Sequence, residues 1–176
     1  HNTLCTKILM TKENKTVMKI ALTGHTNGLG EEIKKGLQDR HNVIGFSRSN
    51  GYDIKSPTDR KKIVEESNEC DVFINLVHNY YHQTDILFEL YASWENKNKL
   101  IINIGSSVVD DDMWGVDRLD YLEYKNQKIA LESMSNLLSK RKSSIKITNY
   151  KISEINFQED VSSLNTTIDE FRLSKK

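Results

Sequence analysis

One segment leaves this chain few folds to choose from. Met18 to Leu22 form a short apolar run, and Thr23-Gly24-His25-Thr26-Asn27-Gly28-Leu29-Gly30 follows, opening into Ile33 and Leu37 at helical spacing. A strand, a glycine-rich loop and a helix in that order let bare backbone lie against a pyrophosphate. The helix N-terminus adds unpaired N–H groups and a dipole that favour negative charge. Glycine-rich loops also serve ordinary turns, so the strand-to-helix setting carries the reading.

From Met18 onward apolar runs alternate with helical patterns, which predicts a parallel sheet covered on both faces. Strand one spans 18–23 and strand two 43–46, and Gly51-Tyr52-Asp53-Ile54 allows a very short third strand. A helix follows from Pro57, which suits a first helical turn. Strand four is read at 71–77 and strand five at 100–104, with an amphipathic helix over 84–94 between them. Ala130, Leu131, Met134, Leu137 and Leu138 mark the inner face of the next helix, and strand six starts at Ile145. Residues 156–176 are polar, with one short helical pattern at 168–173.

At 176 residues the chain makes one domain. Residues 18–176 are assigned to it, and 1–17 to a polar tail, a tag or upstream sequence. The native start is expected at Met10, at Met18 or upstream of His1. Lys and Arg number 25, as do Asp and Glu, so the net charge is zero. That balance argues against nucleic acid or an anionic membrane as partner. No apolar run is long enough to cross a bilayer. Cys5 and Cys70 fit neither a metal spacing nor a disulfide framework, and read as free thiols in a cytoplasmic setting. No metal site is expected: His78-Asn79-Tyr80-Tyr81-His82 shows no ligand spacing, and Asp110-Asp111-Asp112 reads as a solvated loop.

A second motif carries chemistry. Tyr124 and Lys128 stand four apart and share a helix face. An ammonium beside a phenol favours the phenolate and makes the phenol a usable proton donor at neutral pH. Upstream, Ile101-Ile102-Asn103-Ile104-Gly105-Ser106 ends a strand with a hydroxyl at the sheet edge where doubly wound folds bind ligands. Tyr121 and Lys125 repeat the four-residue spacing in another register. Polar Asn126 and Gln127 follow that lysine, whereas Ile129-Ala130-Leu131 follows Lys128, so Tyr124 is the preferred acid.

On these residues the chain resembles the short-chain dehydrogenase/reductase superfamily, as a shortened member. The likeness rests on Thr23-Gly24-x-x-x-Gly28-x-Gly30, Asn75 after strand four, the strand ending in Ser106, and Tyr124-x-x-x-Lys128. It implies a three-layer α/β/α Rossmann domain with six strands in the order 3-2-1-4-5-6. It also implies a small carbonyl substrate reduced by hydride transfer, with Tyr124 as acid, Lys128 lowering its pKa and bonding the nicotinamide ribose, and Ser106 bonding the carbonyl. Cofactor contacts are expected from Thr23, Gly24, Thr26, Asn27, Gly28, Leu29, Gly30, Asp53, Ile54, Asn75, Leu76, Val77, Tyr124 and Lys128. Ser47, Arg48 and Ser49 end strand two where the NAD-using members carry an acid. A cation there can clamp a 2′-phosphate, which favours NADP over NAD; the competing reading of Arg48 is a solvated loop residue. A homodimer through the helices around Phe88 and Ala130 is a further implication.

The departures define an alternative. The family's N-N-A-G element keeps only Asn75, the helix asparagine of its catalytic tetrad has no counterpart identified here, and Tyr150-Lys151-Ile152-Ser153 stands where Pro-Gly is usual. A dinucleotide-binding sensor or scaffold without catalysis is therefore the second reading.

Overall fold

The computed structural model describes residues 17–111 and 117–175. Cys5, Met10 and the rest of the expected tail before Val17, and Asp112 of the acidic run, lie outside them. The elements run β1 (Lys19–Thr23), α1 (Gly28–Gln38), β2 (Asn42–Phe46), a short 3₁₀ turn (Arg48–Asn50), α2 (Pro57–Glu66), β3 (Val72–Asn75), α3 (His82–Trp94) and β4 (Leu100–Ser106). A second 3₁₀ turn (Ser107–Asp110), α4 (Leu119–Ser139), β5 (Lys146–Ile152) and α5 (Phe157–Ser174) complete the chain.

Among the described residues, five parallel strands form one sheet in the order β2-β1-β3-β4-β5. Strand parity divides the core. Ile20, Leu22, Val72, Ile74, Leu100 and Ile102 face α1 and α5, while Ala21, Phe73 and Ile101 face α2, α3 and α4. This is a doubly wound three-layer domain. Connections leave the sheet in opposite directions after β1 and β3, so a crevice opens at the carboxyl ends of these strands, beside the glycine loop.

The expected third strand is absent, and the order is the expected one without that edge strand. Gly51 has φ +94° and closes the turn after β2. Tyr52 N–H donates to Ser47 O at 2.9 Å and Asp53 N–H to Asp59 Oδ2 at 3.0 Å. Donors that a sheet ladder would need are thus spent locally.

The C-terminal segment departs more. In place of a short helical pattern it forms the full α5 helix, N-capped by Asn156, whose side chain accepts from Glu159 N–H at 3.2 Å. Leu164, Ile168 and Phe171 bury one stripe against the sheet. A Cβ on Gly36 of α1 would stand 2.2 Å from Val161 Cγ1, so the glycine is what lets α1 and α5 approach. On α4, Leu137 is 58 % exposed, and Ser135 takes an inner position instead. Its hydroxyl accepts from Asn103 Nδ2 at 2.9 Å and donates to Leu131 O at 2.9 Å, which satisfies a hydroxyl that burial would otherwise penalise.

Candidate active site

The glycine loop is built by close contacts. Gly24 N–H donates to Phe46 O at 2.8 Å, tying the loop to the end of β2. Gly24 has φ +78°, and a Cβ there would lie 2.7 Å from Val77 Cγ2; one on Gly30 would lie 1.6 Å from Gly24 O. Gly28 has φ +53° with nothing within 4 Å of its Cβ position, so its side faces open space. Asn27 caps α1 by position only, with no side-chain hydrogen bond, which leaves first-turn N–H groups free for an anion. Thr26 and Asn27 are exposed, whereas Leu29 is buried beneath the loop.

A cleft of about 410 Å³ runs from this loop along the end of β2, lined by Gly24, Thr26, Asn27, Phe46, Ser47, Arg48, Ser49, Tyr52, Asp53, Ile54, Val77, His78 and Asn79. The turn after β2 is fixed by Asn50, which sequence reading missed: Ser47 N–H donates to Asn50 Oδ1 at 2.8 Å, and Asn50 Nδ2 to Gly45 O at 2.8 Å. Ser47 is buried with its hydroxyl 2.7 Å from that of Ser49, while Arg48 is exposed and forms no ion pair among the described residues. Asp53 Oδ1 accepts from Lys55 N–H at 2.9 Å.

Thr23, Asn75 and Lys128, all expected at the cofactor, have buried side chains that hydrogen-bond inside the fold. Thr23 is buried, and its hydroxyl accepts from Leu76 N–H at 3.0 Å and Val77 N–H at 3.3 Å, holding β1 to the segment leaving β3. Asn75, Asn103 and Asn149 stand in register across β3, β4 and β5. Asn75 Nδ2 donates to Asn103 Oδ1 at 2.9 Å, and Asn103 Nδ2 to Asn149 Oδ1 at 3.2 Å.

This amide row supports Gln83, a residue the sequence did not bring forward. Gln83 is 2 % exposed on the first turn of α3. Its Nε2 donates to Asn75 O and Ile104 O, both at 2.9 Å, and its Oε1 accepts from Lys128 Nζ at 2.9 Å. Lys128 also donates to Ile104 O at 3.3 Å. Burial of Lys128 brings its pKa down to about 8. Gln83 extends the stripe of Ile86, Leu87, Leu90, Tyr91 and Trp94 back by one turn, the signal by which it was findable.

The Lys128 ammonium stands 5.8 Å from the Tyr124 ring centroid. Tyr124 is 37 % exposed and meets the His78 ring edge-to-face at 4.8 Å. Burial and the Lys128 charge hold the His78 imidazole below its usual pKa, against an opposing hydrogen bond from the Gln127 side chain. A second cleft, of about 280 Å³, is lined by His78, Asn79, Tyr80, Asp120, Glu123, Tyr124 and Gln127. His78 and Asn79 line both clefts, so the two adjoin at these residues.

Ser106 stands elsewhere in this arrangement. Its hydroxyl accepts from Val108 N–H at 3.2 Å, and it shares with Lys128 a small cavity of about 10 Å³, about one water in size. In the other register, Tyr121 donates to Asp111 Oδ2 at 3.4 Å and Lys125 to Asp111 O.

Among solved structures the chain is similar to the 3-alpha-hydroxysteroid dehydrogenase of Pseudomonas sp. B-0831 complexed with NADH, at TM-score 0.65 and 15 % identity, over 82 % of this chain and 85 % of that one. A short-chain dehydrogenase of Burkholderia cenocepacia J2315 in complex with NADP matches at TM-score 0.68 and 14 % identity, over 86 % and 84 %. A further small-chain dehydrogenase matches at TM-score 0.69 and 15 % identity, over 87 % and 90 %. No family model and no curated protein sequence matches. The fold is that of the short-chain dehydrogenase/reductases. The described residues include no helix long and apolar enough to cross a membrane, and no cluster of three potential metal ligands.

Proposed function

We propose that this protein is an NADP-dependent oxidoreductase of the short-chain dehydrogenase/reductase family, reducing a small carbonyl compound. The observation that carries the reading is the pair of adjoining clefts, one at the glycine loop and Arg48 and one at Tyr124, with Lys128 held beside that phenol. The structural neighbours crystallised with NADH or NADP support a nicotinamide dinucleotide. The loop fits such a group: Gly24 and Gly30 are packed too tightly for a Cβ, and the amides at the start of α1 have no side-chain cap.

When bound, the dinucleotide supplies hydride to the carbonyl carbon. Tyr124 gives its hydroxyl proton to the carbonyl oxygen, and Lys128 stabilises the phenolate left behind. The family likeness assigns Ser106 the second hydrogen bond to that oxygen, although its hydroxyl here accepts from Val108 N–H outside the Tyr124 cleft. The loop from Gly24 to Gly30 takes the pyrophosphate on backbone N–H groups, and Asp53 with Ile54 borders the adenine end. The reading puts the protein in the cytoplasm, where the buried thiol of Cys70 stays reduced.

A second reading, a dinucleotide-binding sensor or scaffold, draws support from the Ser106 hydroxyl, which is engaged by Val108 N–H and does not line the Tyr124 cleft. NADPH oxidation against a panel of aldehydes, ketones and keto-sugars separates the two. Turnover supports the enzyme; affinity without turnover supports the binder.

NADP preference makes a specific prediction. NADPH binds more tightly than NADH, and Arg48→Ala removes most of the gap, because a charge-assisted contact of this kind is worth about 1.5–3 kcal/mol, about tenfold or more. Superimposable fluorescence titrations of the two cofactors on the intact protein would refute it. The reading also includes a homodimer through α3 and α4, where Phe88 is 52 % and Ile129 42 % exposed. Light scattering is expected to give twice the chain mass; a monomer at micromolar concentration removes this part.

A further inference from the structure

We propose that His78 is a specificity-determining residue, and that the cleft it shares with Tyr124 takes a neutral polyhydroxylated carbonyl compound with one oxygen on the His78 imidazole. The inference rests on the reductase reading above and names its substrate class. At about 280 Å³ the cleft suits a small ligand. Every lining side chain (His78, Asn79, Tyr80, Asp120, Glu123, Tyr124, Gln127) ends in a hydrogen-bonding group, and none is aliphatic. A hydrocarbon-rich substrate would strip water from these groups without replacing their hydrogen bonds, at a cost.

Charge narrows the class. Two carboxylates, Asp120 and Glu123, oppose a substrate carrying carboxylate or phosphate. Arg118 stands 2.6 Å from Asp120 and offsets one of them, and Lys128 lies behind Tyr124, so a cation is not favoured either. Hydroxyl groups meet both needs of this lining. Asn79 adds an amide to the lining, a group that can donate to or accept from a hydroxyl. Tyr80, 57 % exposed, and Tyr124 add aromatic rings against which C–H groups of such a molecule can pack. His78 stands where the two clefts meet, its ring against that of Tyr124, so an oxygen bonded to its N–H lies beside the acid.

The test reads the imidazole directly. After NADPH affinity is measured by fluorescence, long-range ¹H–¹⁵N spectra follow the ring nitrogens of the NADPH-saturated protein, with the His78 signal assigned through His78→Gln. Ribitol, which cannot be reduced, is expected to shift the His78 signals saturably. Cyclohexanol, lactate and protonated glucosamine at equal concentration are expected to leave them in place. His78→Gln should weaken ribitol binding about three- to tenfold, the worth of one neutral hydrogen bond, and raise KM for D-erythrose by a similar factor. Equal shifts from cyclohexanol, lactate or glucosamine overturn the assignment of class on the unmodified protein. NADPH binding with no effect of ribitol at His78 overturns this inference alone. A protein that binds no NADPH overturns the reductase reading, and this inference with it.

Discussion

Tyr124→Phe is expected to remove turnover by at least about a hundredfold, the usual scale of a lost general acid, while NADPH affinity stays within about twofold. The substitution is clean because the phenol hydroxyl makes no hydrogen bond among the described residues, and the ring remains to pack against His78 and beneath the Lys128 ammonium. Fold and clefts therefore persist while the transferable proton is gone. Tyr121→Phe is the control in the other register. Its hydroxyl reaches Asp111 at 3.4 Å and Lys125 also goes to Asp111, so its loss leaves most of the activity. Rates measured against cofactor affinity for both variants decide between the registers; activity surviving Tyr124→Phe and vanishing in Tyr121→Phe assigns the acid to Tyr121.

What could be read in the sequence follows from how local its cause is. The glycine loop was legible because each glycine answers a backbone demand within a few residues, a positive φ at Gly24 and a close approach at Gly30. Strand runs at Ala21, Phe73 and Ile101 were legible because a sheet buried on both faces leaves continuous apolar stretches. The missing third strand was not, since its fate turned on which groups took its N–H donors, and Asp59, six residues downstream of Asp53, took one of them. Helix α5 carries many Ser, Thr and Asn residues, poor helix formers, and forms through burial of Leu164, Ile168 and Phe171 against partners that Gly36 admits. In the site, the Tyr124–Lys128 pair announced itself by helical spacing. The amide row of Asn75, Asn103 and Asn149 became visible only once strand register was known, and with it the place of Gln83.

That placement gives Lys128 a cost in stability. The ordinary lysine pKa of 10.5 falls to about 8 on folding, because Gln83 Oε1 and Ile104 O compensate burial only in part. Between those two values the unfolded chain binds the proton and the folded one does not. Stability therefore rises with pH across this window, and at pH 7 the charged ammonium burdens the fold by about 3 kcal/mol at most. Lys128→Met keeps the length of the side chain and removes the charge. Leaving Gln83 Oε1 without its donor returns about 1–2 kcal/mol of the gain. The net expectation for the cofactor-free protein at pH 7 is a gain of about 1–2 kcal/mol, about 2–8 °C in Tm for a domain of this size. The gain should shrink toward pH 10, where the wild-type lysine folds uncharged. On the reductase reading, turnover should fall by at least about a hundredfold in the same variant, since no ammonium would remain to stabilise the Tyr124 phenolate. Thermal melts at pH 7 and 10 measure the first effect and NADPH oxidation the second. A variant less stable than wild type by the same margin at both pH values would show that the Gln83 and Ile104 contacts fully support the ammonium, and that the lysine is a structural element of the fold.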